Sequence, residues 1–139
     1  MTDDTPVSKV EGIKVTSDYL RGTIAEELAG DAPAFSSYSY ELLKFHGIYQ
    51  QDDRDVCSER KRQGLDVDHI CMVRVSIPGG TLNAEQYLSM DKLCDAVGNG
   101  TLRITSRQGI QYHFVRKGDL TSLLSTLNHH LITHPGGVR

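Results

Sequence analysis

Thr101-Leu-Arg-Ile-Thr-Ser-Arg-Gln-Gly-Ile-Gln-Tyr-His-Phe-Val115 is the stretch on which the fold turns. It reads as two short strands, 101–106 and 110–115, joined by a turn containing Gly109. Side chains along a strand alternate between two faces. One face of the first strand takes Leu102 and Ile104, and the other takes Arg103, Thr105 and Arg107. In the second strand Ile110, Tyr112 and Phe114 oppose Gln111 and His113. Upstream, His69-Ile-Cys-Met-Val-Arg-Val-Ser-Ile77 alternates as well, setting Arg74 and Ser76 against Val73, Val75 and Ile77, and Pro78-Gly-Gly80 closes it. Between these segments Asn83 can cap a helix running to about Val97, with Tyr87, Met90, Leu93, Cys94 and Val97 at helical spacing. Gly98-Asn-Gly100 ends that helix. After the second strand, Gly118-Asp119 leads into a helix with Leu120, Leu123, Leu124 and Leu127 on one face.

Strand, helix, strand, strand, helix is the split βαβ order without its final strand. The expected fold is α+β: an incomplete ferredoxin-like half-domain over 69–139, preceded by an extended N-terminal arm over 1–68. The missing strand would pair beside the first, so the edge of 69–77 is expected to be open. In the arm, residues 1–8 read as a loose tail, and 10–29 is weakly helical and broken by Gly22. Residues 40–51 read as an extended apolar segment, and 52–62 as a charged loop or helix face.

With 139 residues, 38% hydrophobic and 24% charged, the chain suits one folded domain. No apolar run approaches the roughly 20 residues of a membrane helix. The acidic start lacks the features of a leader, so a cytoplasmic protein without membrane partners is expected. A net charge of −3 argues against a general affinity for nucleic acid. Cys57, Cys71 and Cys94 are dispersed, which fits buried free thiols better than a disulfide, zinc or iron–sulfur site. His129, His130 and His134 sit beside Pro135 and Gly136 and read as surface residues, so no metal site is assigned.

Register permitting, one sheet face gathers Arg74, Arg103, Thr105, Arg107, Gln111 and His113 without one carboxylate. Ordinary solvated faces mix both signs, because like charges side by side repel. Arginine also offers a planar fork that matches carboxylate and other oxyanions. An anion site is the preferred reading. A face salt-bridged by acids from elsewhere in the chain is its competitor.

Several stretches carry a family resemblance: Tyr19-Leu-Arg-Gly-Thr-Ile-Ala-Glu-Glu-Leu28, Lys44-Phe-His-Gly-Ile-Tyr-Gln-Gln-Asp-Asp-Arg-Asp55, Met72-Val-Arg74 with Pro78-Gly-Gly80, and Leu102-Arg-Ile-Thr-Ser-Arg-Gln108 with Gln111-Tyr-His113. In these the sequence resembles the siroheme-containing sulfite and nitrite reductase family, and within it the assimilatory sulfite-reducing haemoproteins. The likeness spans about 8–128. It implies a siroheme bridged to a [4Fe-4S] cluster, reduction of sulfite to sulfide, and an electron donor that is an NADPH flavoprotein or ferredoxin. It also implies that Arg103, Thr105, Arg107, Gln111 and His113 contact the siroheme and its carboxylates, and that Arg74 holds sulfite. The residues around 50–54 would belong to an arm that wraps the partner half. Gly109-Ile110, Ser106 and Ser76 depart from the family pattern, which implies a looser turn or pocket wall.

The family's active-site lysines, a further arginine segment, its cluster-ligating cysteines and its second half have no counterpart in these residues. The resemblance therefore implies an N-terminal portion of a sulfite reductase, inactive alone, that needs the remainder of the haemoprotein. Nitrite is the alternative substrate. The rival from another class is a stand-alone ferredoxin-like module for a polyanion or nucleic acid, which would need an exposed aromatic beside Arg103.

Overall fold

The computed structural model describes residues 6–130. Helices α1 (Lys9–Val15), α2 (Ile24–Ala29) and α3 (Ser37–Leu43) precede strand β1 (Ile48–Asp52) and helix α4 (Arg54–Arg62). Strand β2 (His69–Val75), helix α5 (Ala84–Val97), the hairpin β3 (Leu102–Ile104) and β4 (Ile110–Val115), and helix α6 (Leu120–His129) follow. The four strands form one antiparallel sheet in the order β1-β2-β4-β3. Strand β4 lies between β2 and β3, the two strands that α5 connects, and this is the split βαβ unit. The α+β, ferredoxin-like class expected from the sequence holds.

The open edge on β2 does not. Strand β1 pairs along it, Ile48 opposite Val73 through Asp52 opposite His69, and takes the side where the final strand of a ferredoxin-like unit would lie. The arm is also less extended than expected. Ser36 caps α3 by accepting from the Ser39 N–H at 3.2 Å, and a short 3-10 turn over Lys44–His46 ends at Gly47, whose φ of 75° starts β1. The charged segment after β1 is α4, capped by Asp53.

Local signals set the second half. Asn83 and Gln86 form a reciprocal capping box at the start of α5. Met90, Leu93 and Cys94 turn its buried face toward the sheet, whereas Tyr87, expected on that face, is 50% exposed. Leu120, Leu123 and Leu127 of α6 are buried as expected. They meet Val73, Val75, Ile110, Tyr112 and Val115 in one core, which Phe35, Leu43 and Ile48 of the arm join. The arm and the half-domain therefore share a core, and the boundary at 68/69 is no break in packing.

Two anchors tie the arm down. The buried Lys117 Nζ donates to the carbonyls of Gly30 (3.2 Å) and Ala32 (2.7 Å) and lies 5.3 Å from the centre of the Phe35 ring. The Glu27 carboxylate accepts from the Thr23, Ser36 and Ser39 hydroxyls and from the Ser36 N–H, at 2.6–2.8 Å. Burial opposes its ionised form, but these donors, Ser39 and the Ser36 N–H foremost, hold its pKa down at about 2.

Candidate anion and cofactor face

The sheet brings three candidate residues into one row. Arg74 on β2 is registered with Gln111 on β4, which is registered with Arg103 on β3. Cross-strand partners share a face. All three therefore lie on the face opposite Val73, Val75 and Tyr112, which are fully buried. Arg74 is half-buried, and Arg103 and Arg107 are exposed. Among the described residues none of these arginines makes an ion pair; the ion pairs lie elsewhere, as at Arg116–Asp68 and Arg62–Glu59.

Arg74 has an unusual environment. Its backbone N–H donates to the Gly47 carbonyl at 2.8 Å, continuing the ladder with β1. Its Nε is buried and lacks a hydrogen-bond partner among the described residues. Its guanidinium carbon stands 5.4 Å from the centre of the Tyr49 ring, on β1 one diagonal step away. Arg74 lines an open cleft of about 380 Å³ with Val75, Ser76, Ile77, Pro78, Thr105, Arg107 and Gly109. Among the described residues no carboxylate lines it.

The hairpin turn supports this cleft. The Thr105 hydroxyl accepts from the Gly109 N–H at 2.9 Å, leaving its own proton to donate, and the Thr105 N–H donates to the Gly109 carbonyl at 2.8 Å. A Cβ on Gly109 would stand 3.0 Å from the Val75 carbonyl oxygen, and one on Gly80 would stand 2.8 Å from Gln108 Oε1. The turn is thus pressed against β2 and the Pro78–Gly80 loop, not loosened as the departure at Gly109 suggested. The glycine is what permits the approach.

A second cleft, about 910 Å³, lies at the other end of the face, where Arg103, His113, Phe114 and Ile70 face Gln50, Gln51, Asp52, Asp53 and Asp55. His113 Nε2 lies 3.2 Å from Gln111 Oε1. Burial and then the Arg103 charge lower its pKa below 6.5, which favours the neutral ring at neutral pH.

Two expectations fail here. Phe114 leaves the core side, where simple alternation puts it with Tyr112. Its φ is 62°, and between the Cys71–Val115 and Val73–Tyr112 pairs β4 carries one residue more than β2. That β-bulge shifts the alternation, so Val115 enters the core and Phe114 joins the cleft beside Arg103. The acid-free description also narrows: it holds for the Arg74–Arg107 cleft but not for the Arg103–His113 cleft. Ile104 keeps its expected side, registered with Ile110, but no helix covers it and it is 84% exposed.

Sequence reading missed Tyr49, Phe114 and Ile70 on this face. The first belongs to Ile48-Tyr-Gln-Gln-Asp52, which has no alternation, and the second is displaced by the bulge. Cys71 and Cys94 are buried, with burial pushing the Cys71 thiol up to about 11, and Cys57 is half-buried. His129 and His130 pack edge to face, and His134 lies outside the described residues, as do 1–5 of the tail. Among the described residues no group of three His, Cys, Asp or Glu side chains could hold a metal ion, and no helix is long and apolar enough to cross a membrane.

Residues 62–130 match the nitrite/sulfite reductase ferredoxin-like half domain, the segment that carries Arg74, both strands of the hairpin and α6. The chain belongs to the nitrite/sulfite reductase family. It is 46% identical over 132 residues to a sulfite reductase [NADPH] hemoprotein beta-component from Oceanobacillus iheyensis, covering 94% of this chain and 23% of that protein. It is 47% identical over 118 residues to the protein of the same name from Nitrobacter winogradskyi, covering 84% and 20%. The chain thus spans about a fifth of the length of these relatives. The fold resembles the structure of Mycobacterium tuberculosis NirA protein, with a TM-score of 0.73 at 17% identity, over 94% of this chain and 26% of that one.

Proposed function

We propose that this chain supplies part of the siroheme and sulfite site of a sulfite reductase haemoprotein. The observation that carries the proposal is the row Arg74–Gln111–Arg103 with Arg107 beside it, three arginines with no ion pair among the described residues and one buried Nε without a partner. A macrocycle rimmed by carboxylates fits such a surface. Arg103, Arg107, Thr105 and Gln111 offer donors for the rim, while Ile70 and Phe114 offer an apolar wall next to Arg103 and His113. When bound, siroheme supplies the redox chemistry, delivering electrons at the centre where the oxyanion is reduced.

The chain's own residues hold charge and position. Arg74 keeps its charge throughout, so it stabilises a small oxyanion without giving up a proton. His113, with its ring favoured neutral, adds no further charge repulsion beside Arg103. The exposed Arg103 and Arg107 compete with salt in this chain alone, and gain strength where the remainder of a haemoprotein excludes water. The cluster ligands and electron donor, whether an NADPH flavoprotein or ferredoxin, would come from outside these residues. Nitrite remains the alternative substrate within the family.

One observation favours a nucleic-acid reading: the bulge places Phe114, an aromatic, beside Arg103. Asp52, Asp53 and Asp55 line the same cleft and disfavour any polyanion there, carboxylate rim and phosphate backbone alike, so the preference for the haem reading rests on the acid-free Arg74–Arg107 cleft and on the family match.

The test uses a full-length haemoprotein carrying this segment, purified with its siroheme. A hydrogen bond to a charged group is worth roughly 1.5–3 kcal/mol, so Arg74→Ala should lower sulfite turnover roughly 10- to 100-fold with siroheme content retained. Arg107→Ala should instead lower siroheme content. Unchanged turnover and sulfite affinity in Arg74→Ala would remove its assigned role.

A further inference from the structure

Tyr49 has no role in the site as proposed so far, and it stands against Arg74, whose Nε is buried without a hydrogen-bond partner among the described residues. We propose that Tyr49 is a positioning residue, which holds the Arg74 guanidinium by its face so that its in-plane N–H groups stay available to an anion. This inference rests on the sulfite-site reading and adds the element that makes Arg74 competent for it.

The chemistry explains why a ring suits this place. A guanidinium has five N–H donors in one plane and a π-face above and below it. A carboxylate partner would occupy donors and cancel the charge. An aromatic ring engages the face, attracts the cation through its quadrupole, and leaves donors and charge untouched. The side chain is thereby ordered before any anion arrives, which lowers the entropic cost of binding.

The register shows how the strands deliver this arrangement. Tyr49 is paired with Met72, two residues before Arg74, and diagonal neighbours on one face lie within reach of aromatic and long side chains. Gln111 flanks Arg74 on its other side through β4. Arg74 thus has the Tyr49 ring on one side and Gln111 as its cross-strand neighbour on the other, with no ion pair among the described residues, at the wall of the cleft shared with Thr105 and Arg107. Strand β1 supplies more than a covered edge: it brings the ring.

The experiment uses the whole 139-residue chain, isotope-labelled, with sodium sulfite as the probe. In the wild type the Arg74 Cδ protons should be shifted upfield by the Tyr49 ring and the Nε–H signal should exchange slowly. Random-coil positions for those protons would overturn the stacking with no variant needed. Tyr49→Phe, which keeps a ring, should retain both signals and hold sulfite affinity within about twofold. Tyr49→Ile, which keeps a strand-forming side chain, should speed Nε–H exchange and weaken sulfite binding about 5-fold, equivalent to about 1 kcal/mol. An Ile variant with slow exchange and unchanged affinity would overturn the positioning role. If sulfite leaves the wild-type Arg74 signals unmoved while Tyr49→Ile still frees the Nε–H, the positioning stands and the sulfite reading fails.

Discussion

The sheet face that meets α5 and α6 and the face that does not are built by alternate residues of the same strands, yet their polar groups follow opposite rules. On the covered face Tyr112 is fully buried, and its hydroxyl donates to the Met90 carbonyl at 3.1 Å. Burial raises its pKa, so the phenol stays neutral there. On the other face Arg74 and Arg103, with Arg107 in the hairpin turn beside them, carry charge with no ion pair among the described residues, and Arg74 Nε is left without an acceptor. One face completes its bonding within the chain, and the other leaves donors available. Strand parity separates stability from binding, and mutations on the two faces should fall into two classes.

The sharpest way to break this comparison is to mutate each face and measure urea unfolding. Leu123→Ala, at a fully buried position, should cost roughly 2–5 kcal/mol. Arg103→Ala should change stability by no more than about 0.5 kcal/mol. Comparable losses from both would mean that the arginine face is structural.

The arm allows a second comparison, between anchors that the strand pattern reveals and one that it hides. Replacing Glu27 by Ala removes the acceptor for Thr23, Ser36 and Ser39 and should cost roughly 2 kcal/mol. Its folded pKa, about 2, lies below the ordinary 4.5, so its contribution is present above pH 4.5 and is lost as pH falls toward 2. Acid unfolding of the wild type and the variant should converge over that window. A constant difference would show that the carboxylate's charge is not what matters.

A smaller effect sharpens the account of the covered face. Tyr112→Phe should cost about 1 kcal/mol, the worth of one neutral hydrogen bond. On the other face Arg103→Ala should raise the His113 pKa toward 6.5, because the Arg103 charge is one of the two causes that depress it. Since folding favours the neutral ring, His113 costs nothing above pH 6.5 and destabilises the fold as pH falls below it. The variant should soften that cost, which an NMR titration of the ring protons would show. An unmoved pKa would mean that burial alone depresses it.

What could be read from the sequence follows the same division. The β2 strand, the Asn83 cap, the hairpin and the leucine face of α6 all rest on local patterns, namely alternation, a capping residue and helical spacing. Those patterns placed Arg74, Gln111 and Arg103 on one face. Strand β1 was not legible, because Ile48-Tyr-Gln-Gln-Asp52 has no alternating pattern and forms by pairing with β2 across a connection that contains α4. Tyr49 was hidden with it. The bulge at Phe114 inserts one residue and reverses parity, which alternation alone cannot anticipate. Glu27 was hidden for a third reason, since the serines that bond it lie 9 and 12 positions away with no periodic relation.

The most direct test of the central claim, that this face is part of a siroheme site and not a whole one, is a siroheme titration of the isolated chain. It should be followed by its visible spectrum at low and high salt, with reductant-driven sulfide release measured alongside. No sulfide and only weak binding are expected, lost in high salt and in the Arg103→Ala, Arg107→Ala double variant, because the open face leaves the arginines competing with ions. A tight, stoichiometric, salt-resistant complex that makes sulfide, or binding indifferent to both arginines, would contradict it.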